Sequence, residues 1–331
     1  MENIRRKEFQ RNEKLEEFLK EINFDLEIAE KELLKKEYED YPVVLVMGAL
    51  RSGTTLLTQW LANTNEFAYP TNVLSRFYQA PIIGAKIQRL LFDREYNFRN
   101  EIRDFNQEIN YSSENGKTRG ALAPNEFWYF WRRFFQYEEL SIDFRPDEEL
   151  EKSFDRETFY RELMGIADVF HKPIALKGMI ANYNIGFLNQ ILKKAVFIFI
   201  QREPESNIAS ILEARKRQLG DITKWYSFRI PEMPELLKLE DPVMQAAGQR
   251  YYINRAVGNS LLNVSEERKL EIKYEDFCRN PEAVYQMLRD KLKKQGCDIS
   301  ETYQGQKSFT ITRDKVAPEI KEGYRKFMDG I

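Results

Sequence analysis

Cysteine and histidine are nearly missing from this sequence, which holds Cys278, Cys297 and His171 and no others of either type in 331 residues. Two thiols cannot build a disulfide framework, so a reduced, cytoplasmic protein is expected. A charge of one sign is also missing. Fifty-one basic residues against 53 acidic ones leave a net charge of −2, which gives no footprint for nucleic acid, so any basic groups that matter act locally. No apolar run reaches signal-peptide or membrane-spanning length, so no membrane span is expected. Internal repeats and low-complexity tracts are absent as well, and no Gly/Ser/Pro linker separates the first forty residues from the rest of the chain. The chain is long enough to bury a large core.

What the sequence does contain is organised around Tyr41 to Leu57, YPVVLVMGALRSGTTLL. Val43 to Val46 are apolar on both faces, as in a strand buried on both sides of a parallel sheet. Gly48 and Gly53 bracket a short loop, and Thr54, Thr55, Leu56, Leu57, Trp60 and Leu61 then follow helical spacing. Free amides and the positive dipole end of such a helix face whatever the loop encloses, and an anion fits there. The spacing approximates the triphosphate loop G-x-x-x-x-G-K-[ST]. However, Thr54 stands where that loop has its lysine, and the cation is Arg51, three positions earlier. The missing lysine argues against ATP or GTP. A P-loop kinase with a displaced cation remains the alternative.

A second strand with a polar end is AVFIFIQREPESNIAS, residues 195–210. Arg202 follows the strand, Pro204 opens a helix where its missing N–H costs nothing, and Ser210 can face the same anion as Arg202, with Asn207 nearby. The strand ends in Gln201 rather than an acid, so no Walker B aspartate is apparent. Ile174-Ala175-Leu176-Lys177 reads as another core strand. Because ligands of open α/β sheets bind beyond the carboxyl ends of the strands, Lys177 is placed at the mouth of the site and His171 at the far end, as a structural residue. A further strand, Leu270 to Phe277, LEIKYEDF, also ends abruptly in polar residues. Asn280-Pro281 begins a helix running to about Lys294.

Residues 1 to 40 are charged, with Leu15, Leu19, Ile22, Leu26, Ala29 and Leu33 on one narrow stripe. They predict an N-terminal helical extension lying on the body at 41–331, and the stripe leaves a homodimer open. Phe67 to Tyr69 reads as a short strand and Asn72 to Leu91 as helix. Residues 93 to 120 form a polar excursion with a turn at Asn115-Gly116, and the charges of residues 140 to 170 are assigned to solvated helix faces. Between them Ala123 to Tyr137, APNEFWYFWRRFFQY, carries eight aromatics. A helix entered at Pro124-Asn125 would show rings on every face, most of them in the core and a few at an acceptor pocket beside Glu126. The aromatic-rich acceptor-side insertion is placed at about 93–170.

RSGTT after a strand resembles the 5′-phosphosulfate loop of sulfotransferases, which use 3′-phosphoadenosine 5′-phosphosulfate (PAPS). Arg202, Pro204 and Ser210 resemble that family's grip on the 3′-phosphate, and Tyr274-Glu275-Asp276 its Tyr-Glu-Asp. The resemblance implies an α/β, three-layer αβα fold around a central parallel sheet, with extra helical insertions. It implies sulfuryl transfer from PAPS by in-line displacement to a hydroxyl or amine of a small-molecule, carbohydrate or lipid acceptor, with no metal. Arg51, Ser52, Gly53, Thr54, Thr55, Arg202, Ser210, Tyr274 and Arg313 would hold the donor, and Lys177 would touch the sulfuryl oxygens. The family's bases are not matched. Met179 stands where small-molecule members have histidine, and Thr71 and Asn72 where tyrosylprotein members have glutamate. Glu126 is the candidate base.

Overall fold

The structure is a computed structural model, and it describes residues 5–6, 10, 12–96, 111, 113–114, 117–137, 142–311 and 316–331. Its centre is a four-stranded sheet. The strands are β1 (Val43–Met47), β4 (Ile174–Lys177), β5 (Ala195–Gln201) and β6 (Lys269–Lys273), and β2 (Ser113–Glu114) and β3 (Lys117–Thr118) form a separate two-residue ribbon. The sheet order is β4-β1-β5-β6, parallel throughout. Phe67 to Tyr69 is reduced to a single bridge, in which Ala68 donates its N–H to Pro173 O and accepts from Ala175 N beside β4.

Continuous apolar strands are what a sheet covered on both faces demands. On one face Val44, Val46, Val196, Ile198, Ile200, Leu270 and Ile272 meet α2 (Thr54–Asn63), α11 (Tyr274–Arg279) and α12 (Pro281–Lys294). On the other, Val43, Leu45, Met47, Leu176, Phe197 and Phe199 meet α6 (Arg156–Phe170), α7 (Ile185–Ile191), α8 (Pro204–Leu219) and α10 (Pro242–Leu261). This is the expected three-layer α/β architecture, with helices added to it.

The N-terminal segment contributes one helix, α1 (Glu13–Leu33), capped by Asn12 Oδ1 accepting from Leu15 N. Leu15 and Leu19 of the apolar stripe pack into the chain's own core. Two polar side chains on α1 anchor it further. Asn23 donates to Arg76 O (2.7 Å) and accepts from Gln79 N (2.8 Å), while both Glu30 oxygens accept the first amides of α3 (Pro81–Phe92), from Ile82 at 2.8 Å and Ile83 at 3.0 Å. Glu30 thus caps a helix that starts with proline and has no side-chain cap of its own. Asn72 to Leu91 is accordingly not one helix: a 3-10 turn at Leu74–Arg76 precedes α3, because Pro81 restricts the residue before it.

The aromatic segment also departs from expectation. Its helix α4 is Trp128–Phe135, three residues later than the Pro124-Asn125 start, because Phe127 takes the left-handed conformation (φ 56°) with its N–H held by Asn125 Oδ1. Phe127, Phe130, Trp131, Phe134, Phe135 and Tyr137 are buried in the core. Within 140 to 170, the expectation of solvated charges fails at Glu162, which is buried against Arg133 of α4. Burial outweighs the adjacent guanidinium and pushes its carboxyl up to about 8. Arg133 also donates to Tyr78 O at 2.8 Å, so the aromatic helix is locked to α6 and to the segment before α3. The expected turn at Asn115-Gly116 lies outside the described residues.

Candidate active site

All four parallel strands deliver a cavity-lining segment at their carboxyl edge. β1 leads into the Gly48–Gly53 loop and β4 ends at Lys177. β5 is followed by Arg202, and β6 by Tyr274 at the start of α11. These segments line one cavity of about 840 Å³, bounded also by Glu126, Trp128, Tyr226 and Phe228.

The loop is shaped by two glycines in the left-handed region. At Gly48 (φ 136°) a Cβ would stand 2.5 Å from Ile200 O, so only glycine lets the loop leave β1 this close to β5. At Gly53 (φ 96°) it would stand 2.3 Å from Tyr274 Cδ2. Gly53 is also the N-cap of α2 and offers no side-chain cap, so no side chain of the cap residue competes for the first amides of that helix. Arg51 itself is left-handed (φ 62°), a conformation uncommon for a residue with a side chain.

The two turns that the sequence marks as candidates for anion binding touch. Arg51 Nε donates to Ser210 Oγ at 3.1 Å, and Arg202 Nη1 donates to Arg51 O at 3.2 Å. Arg202 lies over the Tyr274 ring, 5.1 Å from its centroid, a cation–π contact that fixes the guanidinium plane. Lys177 is almost fully buried. It donates to Thr55 Oγ1 at 2.9 Å and is ion-paired with Glu126, whose other oxygen accepts the indole N–H of Trp128. A polar chain thus runs from the loop through Thr55, Lys177 and Glu126 to the aromatic wall.

Most predicted site residues converge on this cavity: Arg51, Gly53, Thr54, Thr55, Glu126, Lys177, Arg202, Ser210 and Tyr274 all line it. Thr54 Oγ1 donates to Met179 Sδ at 3.2 Å. Ser52 stays outside the lining and is turned into the loop, with its hydroxyl on Ala49 O at 2.6 Å and its amide on the same oxygen at 3.3 Å. Arg313 lies outside the described residues. His171 is exposed, left-handed (φ 52°) and caps the end of α6, at the opposite end of β4 from Lys177.

Several residues of the site carry no local sequence signal. Tyr226 and Phe228 come from the connection after α8, where the clustered rings Trp225, Tyr226 and Phe228 are the one clue. Burial raises the Tyr226 phenol, which accepts from Gln218 Nε2 at 3.3 Å. Asn182 grips Gly48 at both its N–H (3.1 Å) and its C=O (2.9 Å). Asn207 points at a loop carbonyl rather than toward the cavity, donating to Leu50 O at 3.0 Å. Among the described residues, no group of three or more His, Cys, Asp or Glu side chains is arranged to hold a metal ion, and no helix is long and apolar enough to cross a membrane.

A parallel α/β sheet with a crevice at the carboxyl ends of its strands, lined by a helix start and by basic side chains, is the layout in which α/β enzymes hold their ligands. The family is then given by sequence. A profile of the sulfotransferase family matches residues 42–295, and the chain belongs to that family. Among solved structures, the chain is similar to sulfotransferase STF9 from Mycobacterium avium (TM-score 0.51, 17% identity, 93% of this chain and 72% of that one). It is also similar to sulfotransferase STF1 from Mycobacterium tuberculosis H37Rv (TM-score 0.52, 13% identity, 93% and 81%). At these identities the likeness concerns the fold. No curated protein matches the chain.

Proposed function

We propose that the chain transfers a sulfuryl group from PAPS to a hydroxyl or amine of a small-molecule, carbohydrate or lipid acceptor. The observation that carries this reading is the contact between the Arg51 turn and the Arg202/Ser210 pair inside one cavity. One nucleotide with phosphates at both ends of its ribose can reach both turns. The residues fit such a ligand chemically: the uncapped amides at the start of α2 and two guanidiniums suit anions, and the glycine at position 53 lets the Tyr274 ring pack directly against the loop.

In the reaction, the bond between sulfur and the bridging phosphate oxygen breaks as a bond from sulfur to the acceptor atom forms. Adenosine 3′,5′-bisphosphate leaves, and the acceptor gives up one proton. Arg51 and the amides of Gly53, Thr54 and Thr55 stabilise the charge that grows on the departing oxygen. Lys177, held by Thr55, neutralises the sulfuryl oxygens. Glu126 takes the acceptor proton, a role supported by its place between Lys177 and the aromatic wall of Trp128 and Phe228. Lys177 would exchange Glu126 for the sulfuryl group as the donor seats, which frees the carboxylate for the acceptor.

We take residues 41–331 as the catalytic unit with α1 as an extension docked on it, and place the protein in the reducing cytoplasm, where Cys278 and Cys297, both unpaired, stay as thiols. The test is release of adenosine 3′,5′-bisphosphate from PAPS in the presence of an acceptor panel of phenols, sugars and lipid alcohols. Acceptor-dependent release is expected. Binding of the bisphosphate without transfer to any acceptor would count against an enzyme, and magnesium-dependent phosphoryl transfer from ATP would replace the reading with a kinase.

A further inference from the structure

Among the side chains that bind the backbone of the two turns without lining the cavity between them, four come from the segment after β4 and from α8 and α10. Asn182 holds Gly48. Asn207, fully buried on α8 three residues before Ser210, donates to Leu50 O at 3.0 Å. On α10, Asn254 Oδ1 accepts from Ala49 N at 3.3 Å, and Arg250, one turn earlier on the same helix face, donates from Nη2 to Arg202 O at 3.3 Å. None of the four is among the residues that border the cavity. They differ in what they join. Asn182 fixes the first turn to the segment after β4, whereas α8 and α10 each reach both turns: α8 carries Ser210 and holds Leu50, and α10 holds Ala49 and Arg202.

We infer that Asn207 and Asn254 are positioning residues that fix the separation of the two phosphate subsites, and that this fixed separation makes the site selective for a nucleotide phosphorylated at both the 3′ and 5′ positions. The inference rests on the donor reading above. A ligand with two phosphates gains from the second only if that phosphate meets its subsite without a search. The gain therefore depends on how rigidly one turn is held relative to the other. A monophosphate occupies one turn, which can adjust around it, and is indifferent to the spacing. Asparagine side chains of two separate helices, bonded to the loop backbone, supply that rigidity, and since neither lines the cavity they do not compete with the ligand.

The experiment measures the affinity of the full chain for adenosine 3′,5′-bisphosphate, 3′-AMP and 5′-AMP by calorimetry, in the wild type, N207A and N254A. Loss of one such bond is expected to weaken the bisphosphate about five- to ten-fold in each variant while both monophosphates stay within about two-fold. Equal weakening of all three ligands would mean a generally loosened loop and would overturn the spacing role, as would no change in any of them. If N207A does not fold, N254A, at a partly buried position on a different helix, decides the question alone. Wild-type protein that binds no bisphosphate would overturn the donor reading itself, whereas normal wild-type binding with unaffected variants would overturn only the role of the two asparagines.

Discussion

Replacing Gly53 by alanine tests the geometry of the site at its tightest point. Two costs arise together. The residue has φ 96°, a conformation that an L side chain adopts at a cost of roughly 1–2 kcal/mol. The new Cβ would also lie 2.3 Å from Tyr274 Cδ2 and 2.8 Å from Cε2, and relief requires the ring or the loop to move, which costs roughly 1–3 kcal/mol. Tyr274 has little freedom, since it is buried and Arg202 sits on its ring. Together these predict a loss of about 2–5 kcal/mol. Gly296 supplies the control: its φ is also positive, at 75°, but nothing lies within 4 Å of the Cβ that alanine would add, so Gly296→Ala carries the backbone cost alone. With an unfolding entropy of about 2.1 cal/mol/K per residue over 331 residues, each kcal/mol lowers Tm by roughly 1.4 °C. Differential scanning calorimetry should therefore show a drop of about 3–7 °C for Gly53→Ala and about 1–3 °C for Gly296→Ala. Only the first should weaken binding of adenosine 3′,5′-bisphosphate, because only it displaces a ring that supports Arg202. Equal Tm shifts with unchanged binding in Gly53→Ala would refute the packing of Tyr274 against the loop.

Other perturbations separate the parts of the site. Arg202→Ala removes a charge-assisted contact and should weaken the bisphosphate by roughly 1.5–3 kcal/mol, and Ser210→Ala by about 1 kcal/mol, both read by calorimetry. Glu126→Gln should lower turnover by about 100-fold or more with bisphosphate affinity kept, and unchanged turnover in a PAPS-consumption assay would remove it as the base. Away from the cavity, Glu162 has its carboxyl raised from 4.5 to about 8, so the folded chain holds a proton there that the unfolded chain releases. Its contribution to stability is fully present below pH 4.5 and is lost as pH rises toward 8, at a slope approaching ~1.4 kcal/mol per pH unit. Denaturation midpoints of wild type should fall between pH 5 and 8, and Glu162→Gln should flatten that slope.

The layers of the fold were legible because strands buried on both faces must be apolar, and Val43–Met47, Ile174–Leu176 and Ala195–Ile200 are, each of the last two closing on one polar residue, Lys177 and Gln201. Most residues that line the cavity were legible for a related reason: Gly53, Arg202 and Ser210 lie close in sequence to the strand ends that place them. What stayed hidden is held by distant partners. The stripe on α1 gave no sign that Asn23 and Glu30 would be buried, since their partners, Arg76, Gln79, Ile82 and Ile83, lie some fifty residues on. Glu162 looked like a solvated helix charge until Arg133 arrived from α4. The aromatic helix begins late because one residue, Phe127, turns left-handed, which no propensity for phenylalanine foretells. Asn207 and Asn254 resemble any helix asparagine until the loop they hold is folded beside them.

In the proposed reading two strand-end turns grip opposite phosphates of one adenosine ligand, with Arg51 acting where ordinary nucleotide loops use a lysine and a metal. Titration of the intact chain with adenosine 3′,5′-bisphosphate in excess EDTA, repeated with ATP and magnesium, tests it most directly. One bisphosphate should bind per chain, unaffected by EDTA and lost in an Arg51→Ala/Arg202→Ala double variant, with ATP far weaker. Silence toward the bisphosphate, or tight binding of ATP that requires magnesium, would contradict it.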